Sequence, residues 1–289
     1  MDAHSTWEFT DDRGLRVTAA SRPTRLVAYI QAGATLWDHG LRPAGVFGSH
    51  HDGGAQDPAK AGGLPLEEIR SFGSGSGVDI EALAAAEPGL VVAVTYGGDQ
   101  VYGLDPDAAK HLGEQVPVAV IDVGTSRSLA QVRGRFTELA RALGAQPDAA
   151  ARGEEELARA EARLRSLASR PARPRVLALS AADERTAHLA RPATWPGLRA
   201  LGELGVELVD PEGEGGANWR TAEWAEAAAL RPDIVLADVR ANAAPPRLLA
   251  GNASWSAMTR RAQVLPWNPE NPASHRAHAG WLDTVADAM

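Results

Sequence analysis

The 289-residue chain contains no cysteine. That absence excludes a thiolate nucleophile, a disulfide framework, a cysteine zinc site and an iron–sulfur cluster. Lysine is scarce as well: Lys60 and Lys110 stand alone among 29 basic residues, an arginine bias that reads as a GC-rich genome rather than a function. No stretch approaches the roughly 18 apolar residues of a membrane span, and the opening MDAHSTWEFTDDRG has neither the basic start nor the apolar run of a secretory signal. The expected localisation is therefore extracytoplasmic and membrane-associated if an export signal has been removed, or cytoplasmic if Met1 is the native start. A net charge of -8 without a Lys/Arg cluster argues against a nucleic-acid partner, because phosphate binding needs a positive surface.

What the chain does contain is one phrase written twice, 144 positions apart: DIEALAAAEPGLVVAV from Asp79 and EWAEAAALRPDIVLAD from Glu223. Each copy has a short amphipathic helix, a Pro that cannot continue it and an apolar run of buried-strand type. The offset is half the chain length, which points to two similar lobes with a ligand cleft between them. Other apolar runs fall into the same frame and predict four strands per lobe, at 26–30, 44–48, 90–95 and 117–122, then at 175–180, 205–209, 233–238 and 262–266. Short apolar runs separated by helical stretches suit parallel central sheets in an α/β fold.

Between the halves, Asp148 to Arg170 carries a stripe of Leu157, Glu161, Leu164 and Leu167 or Ala168, opened by Gln146-Pro147 and closed by Pro171. That spacing predicts one long helix, about 35 Å if each residue adds roughly 1.5 Å. The expected organisation is an N-terminal lobe over 1–147, a linking helix over 148–170 and a C-terminal lobe over 171–289.

With these residues in place, TWEFTDDRGLRVTAASRPTRLVAY resembles the entrance of class III substrate-binding proteins of ABC importers, the group that carries ferric siderophores, haem and cobalamin. GATLWDHG, LRPAGVFG and the repeated helix-Pro-strand phrase continue the resemblance over nearly the whole chain. It implies a substrate-binding protein that captures a ferric siderophore or similar iron chelate, with haem, cobalamin or a metal ion as alternative ligands. It also implies a monomer without catalytic residues or a cofactor, and an ABC permease as partner. An intracellular binding protein, or an enzyme on the same fold acting on a metal chelate, is the competing reading.

In open α/β sheets ligands sit outside the carboxyl ends of strands, which selects the loops to inspect. SHHDGG and TYGGDQVYG in the first lobe offer His50, His51, Tyr96 and Tyr102, able to stack on or hydrogen-bond a flat or chelated ligand, with glycines that admit close backbone approach. A solvated glycine-rich loop is the structural alternative. The second lobe offers Arg185, Trp219, Arg240 and Trp267: arginine forks suit anionic oxygens, and Trp supplies an apolar wall. By resemblance, docking to a transporter uses one surface Glu per lobe at the start of the helix before the Pro. Glu81 matches that place, whereas the second copy has Ala225 there, flanked by Glu223 and Glu226. No G-x-S-x-G elbow, H-E-x-x-H helix or complete phosphate loop is present, so neither a catalytic nor a metal site is assigned.

Overall fold

Wholly apolar runs set the first sheet. In the computed structural model, which describes residues 6–289 except the side chains of 149 and 150, a hairpin of β1 (Trp7–Thr10) and β2 (Arg16–Ala19) precedes β3 (Leu26–Tyr29) and helix α1 (Ile30–Asp38). Next come β4 (Gly45–Gly48), β5 (Arg70–Ser74), α2 (Ile80–Ala85) and β6 (Leu90–Thr95). They are followed by α3 (Pro106–Gln115), β7 (Val118–Asp122), α4 (Leu129–Ala142) and the long α5 (Pro147–Ala168). The five strands β5-β4-β3-β6-β7 pair in parallel. Every residue of β3, β4 and β6 is buried, as expected for strands covered on both faces. Because all five run the same way, their carboxyl ends share one edge.

The Asp11-Asp12 turn of the first hairpin guards the otherwise free edge of β7. Asp12 N donates to Val120 O at 3.0 Å, while Val120 N and Asp122 N donate to the carboxylates of Asp11 and Asp12 at 3.1 and 2.8 Å. Edge N–H and C=O groups left open invite pairing with other chains, and here side chains and turn backbone take their place.

The second half contains β8 (Arg175–Ala181), β9 (Thr186–Ala190), α6 (Pro196–Glu203), β10 (Glu207–Leu208) and β11 (Trp219–Glu223). It ends with α7 (Trp224–Ala229), β12 (Ile234–Asp238), α8 (Ala253–Thr259), β13 (Gln263–Trp267) and α9 (His275–Asp287). The sheet order is β11-β9-β8-β12-β13, with β10 alongside β8. The four expected strands are present and parallel. Strand β9, which runs antiparallel to both β8 and β11, and then β11 extend the sheet beyond β8. TAHLA and WRTAE escape a search for apolar runs because Thr186, His188, Trp219 and Arg220 are only half-buried. RSFGS, the fifth strand of the first sheet, escapes for the same reason, Phe72 being its one buried residue.

The chain divides into two units, Met1–Glu154 with Glu270–Ala277, and Glu155–Pro269 with His278–Met289. The return segment 270–277 is fastened within the first unit. Gln31 Nε2 donates to Asn271 O at 3.0 Å, Ala273 N to Thr35 Oγ1 at 2.9 Å, and Ser274 Oγ to Asp38 Oδ2 at 2.6 Å.

The written repeat is also a repeat of backbone. Helices α2 and α7, and the starts of β6 and β12, keep the same offset of 144 residues. Among the described residues, Glu87 and Arg231, the residues before the two prolines, are the non-glycine residues with positive φ, at 48° and 50°. Each ends its helix in a conformation that usually favours glycine. Both side chains are exposed, so Glu87→Gly and Arg231→Gly should each stabilise the protein by up to about 1 kcal/mol through relief of left-handed strain. Urea unfolding of the two variants checks this, with a higher midpoint expected for both.

Candidate functional site at the carboxyl ends of the first sheet

Strand β4 ends at Gly48, and the next residues turn back beneath the strand edge. Ser49 and Asp52 form a reciprocal cap on the single turn 50–52: Ser49 N and Oγ donate to the Asp52 carboxylate at 2.9 and 3.0 Å. Gly48 permits this, because a Cβ at that position would lie 2.2 Å from Asp52 Oδ2. A second turn, 58–60, is capped by Asp57 and delivers Lys60 to the same place. The Lys60, Asp52 and Glu270 side chains are all 0% exposed. Lys60 Nζ lies 2.5 Å from Asp52 Oδ1, 3.1 Å from Glu270 Oε1, and 3.2 Å from both Ser49 Oγ and Tyr29 Oη. The Tyr29 hydroxyl donates to Glu270 Oε2 at 2.5 Å. Burial first, and the Glu270 carboxylate after it, push the Tyr29 phenol well above its ordinary range, so it remains a donor.

An aromatic stack rises from this charged floor. The Tyr29 ring meets Phe47 edge-on at 5.9 Å and Tyr102 at 5.5 Å; Tyr102 in turn meets Tyr96 edge-on at 4.7 Å and stacks with His51 at 6.5 Å. Tyr29 is fully buried, Tyr96 and Tyr102 are half-buried, and His51 is exposed. Three of the four ligand candidates in this half of the sequence are thus brought together. His50 turns aside against Gly75, which has φ 56° and where an added Cβ would lie 2.5 Å from His50 Nδ1. The assembled surface can stack on a flat or chelated ligand through ring faces and donate from phenol and imidazole groups.

The second unit gathers different residues. Trp195, Trp219 and Trp267 pack edge to face with centroids 5.0 to 5.9 Å apart, and His188 lies 6.3 Å from Trp219. Trp195 and Trp267 are buried core residues, whereas Trp219 is half-buried. Arg240 folds back on the carboxylate two residues earlier, with contacts of 2.8 to 3.2 Å to Asp238. Its loop borders an open groove of about 630 Å³ that also reaches Val264 and Pro266. Arg185 occupies the exposed turn between β8 and β9. Since Thr186 pairs with Glu223 and Ala190 with Trp219, Arg185 and Trp219 sit at opposite ends of that ladder.

Glu81 is exposed on the first turn of α2, its Oε1 3.0 Å from His111 Nε2. Glu223 caps α7, and Glu226 accepts from Glu223 N at 3.4 Å and pairs with Arg220 at 2.5 Å. The Arg220 hydrogen bond holds the Glu226 carboxyl below its ordinary range, with the Glu223 N–H adding to it.

Sequence reasoning passed over Tyr29, Ser49, Asp52, Lys60 and Glu270. The available signals were the S-x-x-D cap in SHHD and one of only two lysines in a chain that otherwise uses arginine. Glu270 carried no signal, lying 241 positions from the tyrosine it binds.

The family model described as periplasmic binding protein matches residues 43–270. Among solved structures, DesE, a ferric-siderophore receptor protein from Streptomyces coelicolor, superposes with TM-score 0.86 at 26% identity, covering 98% of this chain and 97% of that one. The siderophore binding protein FhuD from Vibrio cholerae, solved with Fe3+-Desferal, has TM-score 0.69 at 20% identity over 92% of this chain and 99% of its own. The heme binding protein HmuT has TM-score 0.69 at 15% identity over 100% and 91%. These last two likenesses are of fold alone. No curated protein matches the chain by sequence.

The burial of one lysine and exposure of the other is directly measurable. An amine-acetylating reagent applied to the folded protein should modify exposed Lys110 and spare Lys60, with Lys60 reacting only after denaturation. Peptide mass spectrometry reads both sites, and comparable native labelling of Lys60 would contradict the enclosed cluster.

Proposed function

The chain belongs to the periplasmic binding protein family, and from that membership we propose that it is the substrate-binding protein of an ABC import system, capturing a ferric siderophore or similar iron chelate. The observation that carries this reading is the surface of His51, Tyr96 and Tyr102 at the carboxyl edge of the first sheet. Rings with polar tips suit a bulky chelate that offers both apolar arms and ligand oxygens. The resemblance to a ferric-siderophore receptor over nearly the full length of both chains supports the same ligand class. Trp219 is the half-exposed member of the tryptophan group and the one suited to touch ligand. Trp267 supports it from the core, and Arg185 and Arg240 are the charged candidates for ligand contact within the second unit.

The family is typically extracytoplasmic, and we place this chain there as a monomer. Glu81 in the first unit, with Glu223 and Glu226 in the second, supplies the acidic points for a permease partner. Glu226 is already committed to Arg220, which makes Glu223 the residue that substitutes for the missing carboxylate at Ala225. The grouped side chains are aromatics with one histidine and an arginine paired with its own carboxylate neighbour, a composition that holds a ligand without attacking it.

Equilibrium dialysis against ferric Desferal, a ferric tris-catecholate and haem, followed by mass spectrometry of released ligand, tests the proposal. One ferric siderophore should bind at a 1:1 ratio and be recovered unchanged, and Tyr102→Ala should weaken its binding by on the order of 1 to 3 kcal/mol, the burial worth of a large side chain. Multiple-turnover conversion of the ligand, or no binding by any member, would overturn the reading.

A further inference from the structure

The Tyr29 hydroxyl is gripped from two sides, donating to Glu270 at 2.5 Å and accepting from Lys60 at 3.2 Å. A phenol held at its para oxygen has a fixed long axis, and the rings packed on either side fix the tilt of its plane. On one flank it meets Phe47 from the adjoining strand, and on the other the edge of Tyr102. Tyr102 then carries both Tyr96 and His51. The anchors are themselves fixed: Asp52 is locked by Ser49, and Glu270 begins the return segment that is fastened at Gln31, Thr35 and Asp38. Nothing in this chain of contacts depends on a solvent-exposed side chain until His51 is reached.

We propose that Tyr29, clamped by Lys60 and Glu270, is a positioning residue of the ligand site: it sets the tilt of Tyr102 and through it the surface formed with Tyr96 and His51. Tyr29 is itself fully buried and acts on the ligand only through Tyr102. The inference rests on the reading that this surface meets the ligand. It adds a specific requirement, that affinity depends on a hydroxyl beneath the site and on the two side chains that grip it.

The test is a double-mutant cycle on binding of whichever of ferric Desferal, a ferric tris-catecholate and haem binds most tightly. Tyr29→Phe keeps the ring and removes the grip; it should weaken binding roughly three- to tenfold, the worth of one or two buried hydrogen bonds. In a Tyr102→Ala background the same change should cost nothing further, because the ring it positions is gone. Glu270→Gln, whose amide oxygen still accepts the phenol proton, should bind within about twofold of the parent, while Glu270→Ala should behave like Tyr29→Phe. All affinities are measured well below each variant's melting temperature, so that a loss of stability alone does not register. Unchanged affinity in Tyr29→Phe, or an equal loss in both backgrounds, would reduce Tyr29 to a core residue and overturn the inference while leaving the binding function intact. An unaffected Tyr102→Ala, or no binding by any of the three probes, would overturn both.

Discussion

The Lys60 ammonium is enclosed with no solvent contact, and much of the first unit is arranged to make that tolerable. Removing a charged group from water costs several kcal/mol per ion, recovered only when partners are close and well oriented. Here the partners come from three separate stretches: Asp52 and Ser49 from the turn after β4, Tyr29 from the end of β3, and Glu270 from the return segment. Each is held by its own local device. Loss of Lys60 would strand two buried carboxylates, at a cost of about 3–5 kcal/mol for a buried pair, whereas loss of either carboxylate still leaves the ammonium one partner. The cluster therefore acts as a joint that tells three stretches of chain where to be.

Its location gives the joint a functional meaning. The carboxyl edge of a parallel sheet is where loops converge and ligands bind. A surface built only of loops is mobile, but Tyr102, with His51 stacked on it, rests on a ring whose hydroxyl is tied to buried charges. The tryptophan group of the second unit is built differently, from apolar packing, with Trp195 Nε1 donating to Asn218 O at 3.1 Å. The first unit uses charge to make a rigid floor, and the second uses aromatic bulk.

How much of this the sequence discloses depends on the range of the interaction. The helix-Pro-strand phrase was legible because it is local, and its two copies keep their offset down to the positive φ of Glu87 and Arg231. The long helix was legible from its stripe, and β3, β4, β6 and β12 from their apolar runs. Edge strands β5 and β11, and β9 next to β11, were not, since half-exposed strands need fewer apolar residues. Placing glycine-rich loops at strand ends singled out His51, Tyr96 and Tyr102, which the fold groups together. The ring beneath them was hidden within LVAYI, where a tyrosine looks like any other core residue. Arg240 and Glu226 illustrate the opposite difficulty: both stand out as charged residues near strand or helix ends, yet each is engaged by a neighbour a few positions away, which composition does not reveal. The contact between Lys60 and Glu270 joins distant parts of the chain, and no pattern in either stretch announces it.

The central claim is that ligand binds over the Lys60 cluster at the carboxyl edge of the first sheet. Amide hydrogen exchange with and without a saturating ferric siderophore measures this most directly. The account predicts slowed exchange in the segments 46–60 and 94–104, which carry the cluster turns and the tyrosine loop, beyond any change in the helices on the outer faces of that sheet. Protection absent from both segments while ligand is bound would contradict it.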